Sequence, residues 1–428
     1  RHPQCEKSDA TAPAPSAETE TRLRSLFAAD PAEEQQVFSP VEAEVLIEAI
    51  DHAKIIDPAC GSGAFPMGAL HRLVDLLAKL DPHNQKWKRR QLTRAEADRH
   101  IAEKMQDEKN RENTLRSIAA RLIDIEKSFS TDHHELDFAR KLYLIENCTN
   151  GVDIQPLATQ IAKLRFFVAL IVDQHRDPHD ANLGVLPLPN LETKIVAADF
   201  LVPIERKMTQ GALFEDNTDQ LRRLEDLKDQ LARVRHEHFN ARDPRRKEEC
   251  RRADARLRRE MVDLLRATGM KAKQSQQLAA WDPYDQNAHA GFFDADWMFN
   301  FTRERERERV AATLGGEFGF VNEAQAQQEL TTPLNARIDN RGQVGFDIVI
   351  GNPPYIRIQT LKQKNPEMVE FYKAEYVSAI KGNYDLYVVF VEAGLRLLQP
   401  QGNLAYILPH KFFNAEYGEA LRGHIAQG

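Results

Sequence analysis

The chain has 428 residues, which by length alone allows a large core and two or three domains. Hydrophobic residues make up 42% and charged residues 29%, and no unbroken apolar run is long enough to span a bilayer. A formal charge of −7 excludes a surface coated in positive charge, although a local basic face would suffice for phosphate contact.

Residues 1–35 are rich in Ala, Pro, Ser and Glu and have no apolar centre, so they read as a flexible leader rather than a signal peptide. The first residue is Arg, and the sequence is expected to be a piece of something longer. Order should begin at Phe38-Ser39-Pro40-Val41-Glu42. Ser39 suits an N-cap, Pro40 the first helical position, and Glu42 closes a capping box. Val45, Leu46, Ile47 and Ile50 supply the apolar side of that helix. A short strand, Lys54 to Asp57, then runs into Pro58-Ala59-Cys60-Gly61-Ser62-Gly63-Ala64-Phe65. The next helix buries Met67, Leu70, Leu73, Val74 and Leu77. Gly61 and Gly63 read two ways: as a tight strand-to-helix turn, or as a loop that lets a ligand approach backbone N–H groups. The dinucleotide fingerprint is not met, because Pro66 stands in its last position, and no Gly-Lys-Ser/Thr follows to make a P-loop.

From about 80 to 140 the composition is charged and helical, a first insertion. Its basic cluster, Lys86, Lys88, Arg89, Arg90 and Arg94 around Trp87, is either a solvated helix face or a phosphate contact. The core resumes at Gly151-Val152-Asp153-Ile154, followed by a helix carrying Leu157, Ile161, Leu164, Phe167 and Leu170. Lys194 to Ala198 is a further strand, ending at Asp199-Phe200. A second insertion runs from about 205 to 340. Leucines at helical spacing on both sides of Asp243-Pro244 predict an antiparallel helical hairpin. The alternating Arg303 to Arg309 reads as a solvated helix with internal ion pairs. Asp226-Leu227-Lys228 is the nearest approach to a nuclease spelling, and it is expected on a helix surface. Four dispersed cysteines without a CxxC argue against zinc and disulfides and fit a reducing cytoplasm; no metal site is expected.

Phe346 to Gly351 reads as a buried strand, and Asn352-Pro353-Pro354-Tyr355 follows it. The two prolines forbid both ladder donation and helix, so the backbone leaves the sheet in a stiff extended turn. That turn aims an amide, a free carbonyl and an aromatic face into one space, the groups needed to grip a planar ring bearing an amine. A helix over 384–398, a buried strand over 402–409 and a helix from Tyr417 to about Ala426 complete the pattern. Alternating strands and helices predict an α/β fold with an open, parallel, Rossmann-like sheet, where ligands sit beyond the strands' carboxyl ends. Asp57, Asp153, Asp199 and Asn352 each stand at such an end. Asp153 suits two ribose hydroxyls or a helix cap; Asp199 suits an adenine amine, with Phe200 on the ring, or a plain turn. Together they describe a pocket for a nucleoside with a carboxylate-bearing tail and no phosphate clamp, which fits S-adenosylmethionine.

The order of these blocks resembles the γ-class N6-adenine DNA methyltransferases, and more narrowly the type IIG restriction–modification enzymes. The resemblance rests on Phe38-Ser39-Pro40, Asp57 to Phe65, Asp153-Ile154, Ala198-Asp199-Phe200, Gly351 to Ile356, and Lys381-Gly382-Asn383-Tyr384-Asp385-Leu386-Tyr387 with Phe390. It covers Phe38 to the end and implies one catalytic domain, residues 36–428, with both insertions outside the common core. It implies that Asp57, Ala59, Gly61, Gly63 and Phe65 hold the methionine end of S-adenosylmethionine, helped by Phe38 and Pro40. Asp153 would bind the ribose, with Ile154 against the cofactor adenine; Asp199 and Phe200 would contact that adenine, and Phe390 would pack nearby. Asn352 and Pro353 would accept from N6 of a target adenine flipped out of duplex DNA, Pro354 would stiffen the turn, and Tyr355 would stack on the base. It further implies a bacterial or archaeal cytoplasmic enzyme, with any nuclease domain, the last strands and the target-recognition domain outside these residues. The same tetrapeptide also marks enzymes that methylate a glutamine amide in protein or guanine amines in RNA, which is the alternative.

Overall fold

The computed structural model describes residues 17–27, 38–104, 108–129, 135–174, 178–179, 183, 185–186, 188–204, 218–241, 243–299 and 345–427. Five parallel strands form one sheet in the order β3-β2-β1-β4-β5: β1 Ile55–Asp57, β2 Thr149–Asp153, β3 Ile195–Ala197, β4 Phe346–Gly351 and β5 Leu398–Tyr406. The order reverses at β1, which pairs with β2 on one side and β4 on the other. In an open sheet such a reversal opens a crevice at the carboxyl edge. The predicted α/β class is what the chain adopts.

The first helix of the sheet, Pro40–His52, has the expected capping box: Ser39 Oγ accepts from Glu42 N–H, and Glu42 accepts from Ser39 N–H. Within the expected leader, Ala17–Leu26 is helical, with Leu26 buried. Arg22 ties it to the sheet unit through Glu42 at 2.9 Å and lies over the Phe38 ring at 4.9 Å. Helices Gln85–Glu103, Glu108–Ser128 and Glu135–Asn147 fill the first insertion. Trp87 is fully buried, and the cations around it meet carboxylates: Lys86 with Glu44, Lys88 with Glu126, Arg90 with Glu44 and Glu48, Arg94 with Asp51. These four charges are paired with carboxylates, and Arg90 and Arg94 are largely buried, so the expected solvated helix face is not what this stretch forms.

The hairpin is formed by Thr218–Asn240 and Pro244–Ala267, with Asp243 capping the second helix. Of Asp226-Leu227-Lys228 only Asp226 lies on the open surface, as expected. Leu227 is buried and Lys228 bridges Glu225 and Asp296. The alternating Arg303 to Arg309 lies outside the described residues. The second insertion packs into the main apolar cluster, where Trp281, Phe292, Phe293, Trp297 and Met298 join Phe346 and Phe390. One further expectation needs correction. The last strand begins at Leu398 and is not buried: its side chains alternate between exposed and half-buried, as befits the edge of the sheet. An edge also tolerates Pro400, which cannot donate to a ladder.

Candidate active site

Four strand ends converge as the sequence predicts. Asp57 closes β1 and pairs in register with Gly151 of β2, while Asp153 pairs with Ala197 of β3. The loop after β1 is held by both acids: Asp57 Oδ1 accepts from Ala59 N–H at 3.0 Å, and Asp153 Oδ2 accepts from Gly61 N–H at 2.9 Å. Asp153 Oδ1 also accepts from Gln155 N–H at 2.8 Å, a turn bond ahead of the helix Pro156–Val172, whose N-cap is Gln155 rather than Asp153. Gly61 and Gly63 have φ of 53° and 83°, where a side chain is strained. At Gly63 a Cβ would stand 3.0 Å from Ala162 Cβ, so glycine also permits the helix after β2 to close on this turn.

Asp57 is strongly perturbed. Burial, opposed by the Ala59 N–H and reinforced by the Asp153 charge, lifts its pKa from 3.8 to about 7. Its Oδ2 is buried without a hydrogen-bond partner. Gly351 makes the crowding possible, since a Cβ there would meet Asp57 Oδ1 at 2.5 Å. Burial also lifts the pKa of Asp199, whose Oδ1 accepts from Leu201 N–H at 3.2 Å. Three carboxyl groups at neighbouring strand ends make a site that favours a cationic or hydroxyl-bearing ligand over phosphate.

Asn352 is exposed, Pro353 buried and Pro354 half-buried, which leaves the amide at the mouth of the crevice. The Tyr355 hydroxyl is shared between the Asn352 Oδ1 and the Ile407 carbonyl, the latter at 2.7 Å. Its ring, 48% exposed, stands edge-on to Tyr387 at 6.1 Å. Ile358 N–H donates to Tyr384 O and Leu386 N–H to Ile356 O, so the Lys381 to Tyr387 block runs alongside the turn. On the other flank Phe200 packs against Phe390 at 5.4 Å and Phe293 at 5.3 Å. Ile154 is 51% exposed beside Asp153, and Phe65 is half-buried in the first turn of the helix Ala64–Leu80. Phe38 is buried in the apolar cluster that includes Cys60, while Pro40 is exposed and its carbonyl accepts from Lys86 Nζ at 2.8 Å.

Sequence reasoning missed three contributors. Phe293 comes from the second insertion, whose Ala290 and Phe293 bridge to Ala198 and Pro203 beyond β3. The aromatic density of 281–299 was the available signal. Tyr406, opposite Gly351, buries a hydroxyl that has no hydrogen-bond partner, and burial and Asp57 together raise its pKa far above the usual value. The Ile407 carbonyl is a backbone group and leaves no trace in composition. Among the described residues no cluster of His, Cys, Asp or Glu could hold a metal, and no helix is long and apolar enough to cross a membrane.

Comparison with known proteins agrees with this architecture. The chain is 37% identical over 82 residues to the type II restriction enzyme and methyltransferase RM.Eco57I of Escherichia coli, covering 19% of this chain and 8% of that protein. It is 37% identical over 87 residues to the type II methyltransferase M.BstVI of Geobacillus stearothermophilus, covering 20% and 15%. A longer alignment, 22% identical over 389 residues, joins it to RM.MjaORFECS2P of Methanocaldococcus jannaschii and covers 86% of this chain. The matches span between 8% and 26% of these three relatives' own length. Residues 147–427 match the model of the Eco57I restriction-modification methylases, which takes in β2 to β5 and the Asn352 turn. The chain belongs to the Eco57I restriction-modification methylase family.

Proposed function

We propose that this domain, residues 36–428, transfers a methyl group from S-adenosylmethionine to N6 of an adenine flipped out of duplex DNA, as part of a restriction–modification or related phage-defence system. The observation that carries the reading is the placement of the Asn352 turn directly beside Asp57, with Gly351 in contact distance of the Asp57 carboxyl. The two halves of a transfer site share one crevice.

The residues present fit the cofactor: the Asp57 Oδ2 is an orphaned buried acceptor, and Gly61 and Gly63 form a cradle in left-handed backbone. When bound, S-adenosylmethionine supplies an electrophilic methyl group on a cationic sulfonium. Asp57 and the Ala59 to Phe65 loop hold its amino-acid end, with Phe38 and Pro40 on the approach. Asp153 receives the ribose hydroxyls, Ile154 covers the adenine, and Asp199, Phe200 and Phe390 line the far wall. On the acceptor side, the Asn352 Oδ1 and Pro353 carbonyl accept from the target amine. The adenine N6 lone pair is delocalised into the ring, and two acceptors favour a pyramidal nitrogen and stabilise its growing positive charge. Tyr355 stacks on the base and Pro354 keeps the turn stiff, so the chain contributes alignment rather than a strong base.

Transfer of a tritiated methyl group to duplex DNA, to a translation release factor and to RNA discriminates the substrates. Label is expected in the DNA adenine. Asn352→Ala should abolish transfer while leaving S-adenosylmethionine affinity within about twofold, because it removes only a contact to the acceptor. Label in the glutamine or guanine acceptor instead of DNA defeats the adenine assignment.

A further inference from the structure

The helix Pro156–Val172 packs one side into the fold through Thr159, Ala162, Phe166 and Leu170. Its opposite side is apolar and bare. Leu157 is 67% exposed, Ile161 41%, Leu164 59%, Val168 50%, Ile171 40% and Val172 75%. No other described helix exposes more than two large apolar side chains. Soluble monomers rarely present an unbroken apolar patch of this extent.

The spacing says what such a face fits. Leu157, Ile161, Leu164, Val168 and Ile171 follow one another at intervals of four, three, four and three. That is the seam of one helix against another, and not the wider stripe of a helix lying on a sheet or a lipid surface. In that frame Ile161 and Val168 take the a positions, and Leu157, Leu164 and Ile171 the d positions. Branched residues at a with mainly leucine at d favour two parallel strands. The flanks agree. In a parallel pair Arg165, at e, meets the partner's Gln160, at g, whose Nε2 is held by the Gln286 carbonyl at 2.7 Å and whose Oε1 is the atom an arginine would need, whereas an antiparallel pair crossing at Leu164 brings Arg165 toward its own mate. Covering the six side chains in two copies removes roughly 1,200 Å² from water, the lower end of what a specific interface buries.

We propose that this seam is the interface of a parallel, twofold dimer of this chain. A twofold contact needs one self-complementary patch, and the seam is one. The face is independent of the residues assigned to methyl transfer, so loss of the catalytic reading leaves it standing.

Light scattering after size exclusion tests it. The wild-type chain should give twice 48.8 kDa. Leu157→Glu with Leu164→Glu should give a monomer that still melts cooperatively, at a temperature no longer dependent on protein concentration, since both side chains are exposed in the single chain. In a Cys5→Ser background, Ile171→Cys should cross-link into a dimer under mild oxidation, because a parallel seam sets residue 171 beside its own mate. Ile123→Cys, on an exposed position elsewhere, is the collision control, and Cys60, Cys148 and Cys250 are buried. A wild-type chain of 48.8 kDa at every concentration tested overturns the proposal. So does a dimer that survives the double substitution, or one whose Ile171→Cys chains cross-link no faster than the control.

Discussion

At the residue scale Asp57 ties chemistry to pH. Burial holds its proton to about pH 7 in the folded chain, whereas the unfolded chain releases it near 3.8. The folded state therefore binds more protons between those values, and stability falls as pH rises from about 4 to about 7. Asp57→Asn should flatten that part of a plot of melting temperature against pH. A cationic ligand draws the proton off, so affinity for S-adenosylmethionine should rise about tenfold between pH 6 and pH 8 and then level. Titration calorimetry in buffers of differing ionisation enthalpy reads both the affinity and the released proton, and a flat profile would remove Asp57 from contact with the cation. Asp153→Ala should weaken binding at every pH, because it frees the Gly61 N–H and removes the carboxylate proposed to receive the ribose. The sequence marks Asp57 and Asp153 because each follows a strand and precedes a turn. The sequence conceals the Gly351 contact with Asp57, since those residues meet only once β1 and β4 are neighbours.

At the scale of elements, periodicity decides what is legible. The hairpin Thr218–Asn240 with Pro244–Ala267 could be read from its leucines and from Asp243-Pro244. Its attachment to the core could not, because the docking segment 281–299 is aperiodic and joins its apolar contacts to a buried charge cluster from distant parts of the chain. Asp254, fully buried, accepts from Arg235 Nε at 2.7 Å and pairs with Arg258, and both cations lie over the Trp281 ring. Arg235 also donates to the Trp297 carbonyl at 2.8 Å. Removing the shared carboxylate strands two buried cations, so Asp254→Ala should cost about 3–5 kcal/mol in urea unfolding. β5 teaches the converse. Its composition reads as buried, yet strand order puts it at the edge, and order is not written in a strand's own residues. Gly351→Ala should destabilise by about 1–3 kcal/mol through the clash with Asp57. That loss should shrink in Gly351→Ala with Asp57→Gly, which a double-mutant cycle measures.

For the molecule as a whole, the two insertions meet each other just ahead of β2, even though the second also reaches the end of β3 through Ala290 and Phe293. Glu146, just before β2, accepts from Asn240 Nδ2 at 3.3 Å and meets His236 Nδ1 at 2.7 Å. Arg121 of the first insertion reaches Asp98 at 2.9 Å, and His236 stands 3.6 Å from the same carboxylate. A cavity of about 400 Å³ opens beside them, lined by Asp98, Ser117, Arg121, Arg233 and Glu237 among others. The sequence presents the insertions as two separate charged stretches, because the groups that join them lie far apart in the chain and show no pattern until folded. Such a junction should fix the hairpin without touching the crevice, and exchange can separate those two roles. Glu146→Gln keeps the shape and removes the charge facing His236. Amide exchange across Thr218–Ala267 should then quicken, while the amides of 57–63 and the affinity for S-adenosylmethionine stay as they were. Faster exchange at Ala59 and Gly61 would mean instead that the insertions brace the loop after β1 through β2, and the sheet would have to be treated as one elastic unit with its insertions.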